Sequence, residues 1–281
     1  FGYDDAISRD NHSLSYLAAP CEDVWLLMLD TAKYKRNHLR TAPDMSGEIP
    51  EKSFDWIREC ANLAKENNVQ IIAVMHHSLL DHNEVINEEF TIKNSQEVVD
   101  LFLSCDIQIV LTGHIHLQDI KFYEKNNKRI YDIATSCLVA YPNQYGVLRF
   151  IPDKGFDYFT RKVDVYAWVW ENDIHDPNLN NFHKYSKEFF RKRTYDKYYD
   201  SLLEISKFSD EEMKAISKTI SELSLKYFAG YRNNLIHEAL DTEGFAILQK
   251  SAPFTIKNYV MSMFDDQKTD NNRIYIPIKK D

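Results

Sequence analysis

The chain has 281 residues, 44% apolar and 27% charged, so it can bury a sizeable core and is not globally disordered. Its net charge of -9 opposes non-specific binding to nucleic-acid phosphates and leaves a small-molecule substrate, or an anionic one whose charge is handled locally. No apolar run approaches the roughly 18–20 residues of a membrane-spanning helix.

Residues 13–20 (SLSYLAAP) alternate like a strand, and 24–31 (VWLLMLDT) form a continuous apolar run of the kind buried on both faces of a sheet. A Pro-, Gly- and Ser-containing loop (41–50) precedes a helix predicted over about 51–67, with Phe54, Ile57, Ala61 and Ala64 at helical spacing. A second buried strand, 69–75 (VQIIAVM), ends at His76-His77. After a polar loop comes a helix predicted over about 95–104, with Val98, Val99 and Phe102 inward. A third buried strand, 107–111 (IQIVL), runs into Gly113-His114-Ile115-His116. Both histidine groups therefore fall at carboxyl ends of strands, where layered α/β sheets bind ligands.

Two hairpins are expected next, one turning at Lys125-Asn126-Asn127-Lys128 and one at Pro152-Asp153-Lys154-Gly155. They read as an antiparallel set closing a second sheet. From about 165 the pattern is helical, and 209–230 is the clearest helix, with a Ser209/Glu212 capping box and Gly230 at its end. The fold class is thus α+β, layered. Residues 1–164 are read as one domain and 165–281 as a mainly helical accessory domain. Four cysteines without a Cys-x-x-Cys spacing are expected as buried free thiols. His38, His175, His183 and His237 are expected on the surface or on helix faces, and the aromatic stretches 165–171 (VYAWVWE) and 195–205 (YDKYYDSLLEI) in core and helix packing, with stacking on a nucleobase as the alternative. The basic stretch 187–197 is read as a solvated helix face, with steering of a phosphorylated substrate as the alternative, and Asp81, His82 and Glu84 as a solvated loop, with a rim role in substrate access as the alternative.

Neutral imidazole is a common ligand for zinc, iron and manganese. In an extended loop, residues i and i+2 point to the same side, so His114 and His116 are placed to converge, with His76 ending a neighbouring parallel strand. The segments VMHHSLLDH (74–82) and LTGHIH (111–116), with VWLLMLDT upstream, resemble the calcineurin-like metallophosphoesterases. More narrowly, FGYDDAIS, SLSYLAAP, YFAG (227–230) and SAPFTIKNYV (251–260) resemble the bacterial cyclic-nucleotide-phosphodiesterase-type members with an added C-terminal helical region.

The resemblance implies a two-sheet αββα sandwich around two divalent ions (Mn, Fe or Zn) and a small phosphoester substrate, cyclic nucleotides among the candidates. By resemblance, His76 and His114 would share one metal and His116 would bind the other, while His77 would support the ligands or face the substrate phosphate. Ser78 stands where the family usually has proline. The family's aspartate-bearing blocks, its Asn-His block and its proton donor have no match here. Asp10-Asn11-His12 lacks the flanking Gly and acid, and Asp30 reads as a strand-end residue. The chain opens on Phe1 in what reads as the middle of a loop, so these blocks, the catalytic acid and any targeting segment are expected ahead of it. Alone, the 281 residues are expected to bind metal poorly and hydrolyse nothing. The competing readings are a non-catalytic phosphoesterase-like binding module and, less well matched because hairpins follow the His-x-His, an amidohydrolase.

Overall fold

The computed structural model describes residues 2–264 and 270–278. Two compact units share the chain. One holds the residues up to Thr135, Arg149–Asp157 and the stretch from Tyr275; the other holds Ser136–Leu148 and Tyr158–Ile274.

The first unit is built on a seven-stranded sheet. Its strands are β1 (Ser8–Arg9), β2 (Tyr16–Ala18), β3 (Val24–Leu29), β4 (Gln70–Met75), β5 (Ile109–Thr112), β6 (Asp119–Lys125) and β7 (Lys128–Ala134), in the order β1-β2-β3-β4-β5-β7-β6. β3, β4, β5 and β7 run parallel to one another, while β1, β2 and β6 complete antiparallel edges. Helices α1 (Phe54–Glu66) and α2 (Ser95–Ser104) carry the chain between the parallel strands. Ile57, Ala61 and Ala64 of α1 and Val98, Val99 and Phe102 of α2 are buried, as their spacing predicts. Phe54 is only partly buried, and Trp56 packs instead, its indole donating to Ser8 Oγ at 2.9 Å.

One expectation is overturned. The first hairpin does not join a second sheet: β7 lies parallel to β5, with Ile109 opposite Tyr131 and Thr112 opposite Ala134. The cause is its burial. Ile130, Tyr131, Asp132, Ile133 and Ala134 are all buried, which suits a strand with neighbours on both sides. Its turn uses Asn126 and Asn127 with positive φ, the backbone of a tight hairpin. The second hairpin, β8 (Gln144–Ile151) and β9 (Gly155–Lys162), forms a smaller sheet in the order β10-β9-β8 with β10 (Arg273–Pro277).

The second unit is mainly helical: α3 (Val165–Glu171), α4 (Pro177–Asn180), α5 (Phe182–Ile205), α6 (Asp210–Tyr227), α7 (Leu235–Leu240), α8 (Glu243–Lys250) and α9 (Thr255–Ser262). The capping box of α6 forms in full, Ser209 Oγ accepting from Glu212 N and Glu212 accepting from Ser209 N. α6 is the packing centre, with Met213, Ile216, Ile220, Leu223, Leu225 and Tyr227 buried. Tyr198 stacks on Tyr259, ring centroids 6.2 Å apart, and burial pushes its hydroxyl up to about 12. α5 is largely solvated, as the basic stretch suggested, with only Ser186 and Leu202 buried. α3 departs from expectation: Tyr166, Trp168 and Trp170 are exposed and only Val169 is buried, because a two-turn helix presents one narrow apolar face. Of the four free cysteines only Cys60 is buried, and burial drives its thiol up to about 12, away from reactivity. His38, His175, His183 and His237 are exposed. No helix among the described residues is long and apolar enough to cross a membrane.

A candidate site at the ends of two parallel strands

Strand register brings the histidines together. Val74 lies opposite Leu111 in the β4–β5 pair, so two residues further on His76 meets Gly113, whose N–H donates to the His76 carbonyl at 3.1 Å. The rings of His76, His77 and His114 then cluster. Centroids lie 4.6 Å apart for His76–His114, 4.7 Å for His77–His114 and 5.1 Å for His76–His77. His76 Nε2 and His114 Nδ1 are 2.9 Å apart, one donating and the other accepting. Phe90 covers the far side of His114, centroid to centroid 4.9 Å.

The backbone is not the extended ribbon that the i, i+2 argument assumed. His114 and His116 both have positive φ, 62° and 58°, and Ile115 between them is buried. Two non-glycine residues held in the left-handed region are uncommon and concentrate at functional sites. His116 is exposed at the rim.

His77 occupies a different position from the other rings. It is buried, and both its nitrogens are engaged: Nε2 lies 3.0 Å from the Met45 carbonyl and Nδ1 2.7 Å from Thr31 Oγ1. A carbonyl only accepts, so Nε2 carries the proton and the Thr31 hydroxyl donates to Nδ1. The loop between β3 and α1 thus clasps His77 from two sides, and Gly47 completes the clasp. A Cβ there would stand 2.3 Å from His77 Cγ. Gly47→Ala is expected to displace the ring and cost about 1–3 kcal/mol, the usual range for overpacking. Urea melts of the two proteins measure it, and coincident curves would contradict it.

Electrostatically the cluster favours neutral imidazoles. Burial first, then the neighbouring His77, His76 and His116, lowers His114 to about 4. Burial, then His116, lowers His76. Burial is also the main reason His77 is lowered. Neutral rings are the form that binds metal.

The donor set fits part of a metal site. The imidazole nitrogens of His76 and His114, 2.9 Å apart, are the donors present. Among the described residues, however, no group of three or more His, Cys, Asp or Glu side chains is arranged to hold an ion. The histidines supply no negative charge, and two dications need carboxylates as well. The described residues therefore do not complete a dinuclear centre.

Behind the cluster lies a network that the sequence reading missed. His82, expected in a solvated loop, is fully buried between two carboxylates. Its Nδ1 is 2.8 Å from Asp119 Oδ2 and its Nε2 3.3 Å from Asp132 Oδ2. Asp132 Oδ2 also accepts from the N–H groups of Leu79 (2.7 Å) and Leu80 (2.8 Å), and Oδ1 from Thr112 Oγ1 (2.6 Å). Leu79 follows His77 by two residues and Thr112 precedes His114 by two. One carboxylate thus ties both histidine-bearing loops together. The signal was present at Asp132, which interrupts the apolar run 130–134 (IYDIA), since a buried carboxylate is rarely left unpaired; Asp119, in a strand with other charges, carried no such signal. Asp81 and Glu84 remain exposed, as expected. Asp10 is a local structural group: its carboxylate accepts from Ser13 Oγ (2.6 Å), Ser53 Oγ and His12 N (3.1 Å).

Residues 164–270 match the family model for the C-terminal domain of cyclic nucleotide phosphodiesterase, which supports a phosphoesterase-type relationship. Among solved structures, the chain is similar to a dimetal phosphatase from Danio rerio, at 12% identity with a TM-score of 0.41. That likeness covers 57% of this chain and 59% of the other. Among curated proteins nothing matches.

Proposed function

We propose that this chain is part of a metal-dependent phosphoesterase of the calcineurin-like type that cleaves a small phosphodiester, with cyclic nucleotides the first substrates to try. Residues 1–164 are taken as its phosphoesterase portion and 165–281 as its helical accessory portion. The observation that carries the reading is the strand register that sets His76 and His114 within 2.9 Å of each other at the carboxyl ends of adjacent parallel strands. The C-terminal family match supports it from the other half of the chain.

In this reading His76, His114 and His116 would be the chain's contribution to holding divalent metal (manganese, iron or zinc), which would supply Lewis acidity and an activated water. The chain's own contribution is orientation. Thr31 and Met45 fix the His77 ring, His77 backs the ligand rings, and Asp132 holds the two loops at their spacing. The missing negative charge has a consequence: the 281 residues alone are expected to bind Mn²⁺ or Zn²⁺ weakly.

Isothermal titration of Mn²⁺ and Zn²⁺, with elemental analysis, tests the site. His114→Ala and His76→Ala are each expected to weaken binding by at least about tenfold, the lower end of what even supporting residues of metal sites contribute. Variants that bind as tightly as the parent would remove the metal assignment. For the activity, the protein as its organism makes it is loaded with Mn²⁺ and given a bis-aryl phosphate and cyclic nucleotides. Metal binding without turnover of either would favour the second reading, a phosphoesterase-like binding module, which the incomplete ligand set of the described residues supports.

A further inference from the structure

The β3–α1 loop carries a second feature that the histidine cluster does not use. From Thr31 to Pro43 it holds four cations, Lys33, Lys35, Arg36 and Arg40, and no acid, within a chain of net charge -9. These side chains do not disperse over the surface. They line one cavity of about 310 Å³ with His12 and Tyr34. That volume is at the lower end of the roughly 300–1,000 Å³ of small-molecule pockets.

The charges inside it are unevenly matched. Lys33 pairs with Glu48 at 3.0 Å and Arg40 with Asp44 at 3.0 Å. The third acid, Asp30, is already engaged: Oδ2 accepts from the Tyr34 hydroxyl (2.9 Å) and Leu14 N (3.3 Å), and Oδ1 from Ala32 N (3.2 Å). Among the described residues Lys35 reaches only the His12 carbonyl, at 3.5 Å, and Arg36 has no ion-pair partner. Two cations therefore face the cavity without a carboxylate, beside two more whose partners sit on its wall. Arg and Lys presented together in a concave site suit a phosphate group, the guanidinium by a two-pronged hydrogen bond and the ammonium as a point charge.

We propose that this cavity binds the phosphate of a small phosphorylated ligand. None of the clustered histidines lines this cavity, although the loop that carries it also holds His77, and the proposal does not rest on that cluster holding metal.

The test is isothermal titration of inorganic phosphate into the 281-residue chain at low ionic strength, where exposed charges are least screened. Saturable binding is expected, weakening as salt is added. The double variant Lys35→Gln/Arg36→Gln is expected to lose at least about tenfold in affinity, and both side chains are exposed, so its melting curve should match the parent. Glu48→Gln, which releases Lys33 from its partner, is expected to tighten binding several-fold and decides the matter if the double variant melts low. His114→Ala is expected to bind phosphate as the parent does, whatever it does to metal uptake. No phosphate binding by the parent, unchanged affinity in the double variant, unchanged affinity in Glu48→Gln, or loss of binding in His114→Ala would each overturn the proposal. The last outcome would move the anion to the histidine cluster.

Discussion

Asp132→Ala is expected to destabilise the protein by about 3–5 kcal/mol, the range for breaking a buried ion pair by removing one partner. A domain's whole stability is only about 5–15 kcal/mol, so this is a large fraction of it. The cost has several named sources. The N–H groups of Leu79 and Leu80 and the Thr112 hydroxyl lose their acceptor in a region closed to water, and His82 loses one of the two carboxylates beside it. Because Asp132 connects the loop after His77 to the end of β5, metal uptake should weaken together with stability. Urea unfolding followed by circular dichroism reads the first effect and Mn²⁺ titration the second. A loss of under about 1 kcal/mol would mean that water or other groups replace the carboxylate, and the network would not be the tie described here.

The second large effect is a dependence of stability on pH. Burial alone would lower His82, but the Asp132 charge, with hydrogen bonds to Asp119 and Asp132, outweighs it and raises the imidazolium to about 9. In the unfolded chain the same ring titrates near its ordinary value of about 6.5. A group whose pKa is raised on folding stabilises the native state fully below the unfolded value, and the contribution is lost as pH rises through the folded value. Stability is therefore expected to fall by roughly 3 kcal/mol between about pH 6.5 and pH 9.5, at about 1.4 kcal/mol per pH unit of difference. The comparison is a pair of denaturation series, parent and His82→Gln, across that range. The parent should decline and the variant should stay nearly flat. Equal slopes would assign the decline to other groups.

Much of the core of the first unit could be read from residue order. Continuous apolar runs marked β3, β4 and β5, helical spacing marked α1 and α2, and the Asn-Asn turn marked the β6–β7 hairpin. Such signals are local, so they survive without knowledge of the fold. The sheet that β6 and β7 would join was not local. β7 found a parallel partner in β5, and only the whole layer could offer that edge. The exposed tryptophans of α3 failed for a related reason, since an aromatic run records what a helix contains and not what lies opposite it.

For the candidate site, sequence alone determined which residue types stand at the ends of β4 and β5, because strand boundaries follow from composition and Gly113-His114-Ile115-His116 follows directly on one. The folded chain decided what those residues touch. It put His77 behind the cluster, held by Thr31 and Met45, left His116 at the rim, and placed His82 between Asp119 and Asp132, 37 and 50 residues away in the chain. Hydrogen bonding and ion pairing act over about 3 Å, and which groups come that close is set by the register of strands distant in sequence.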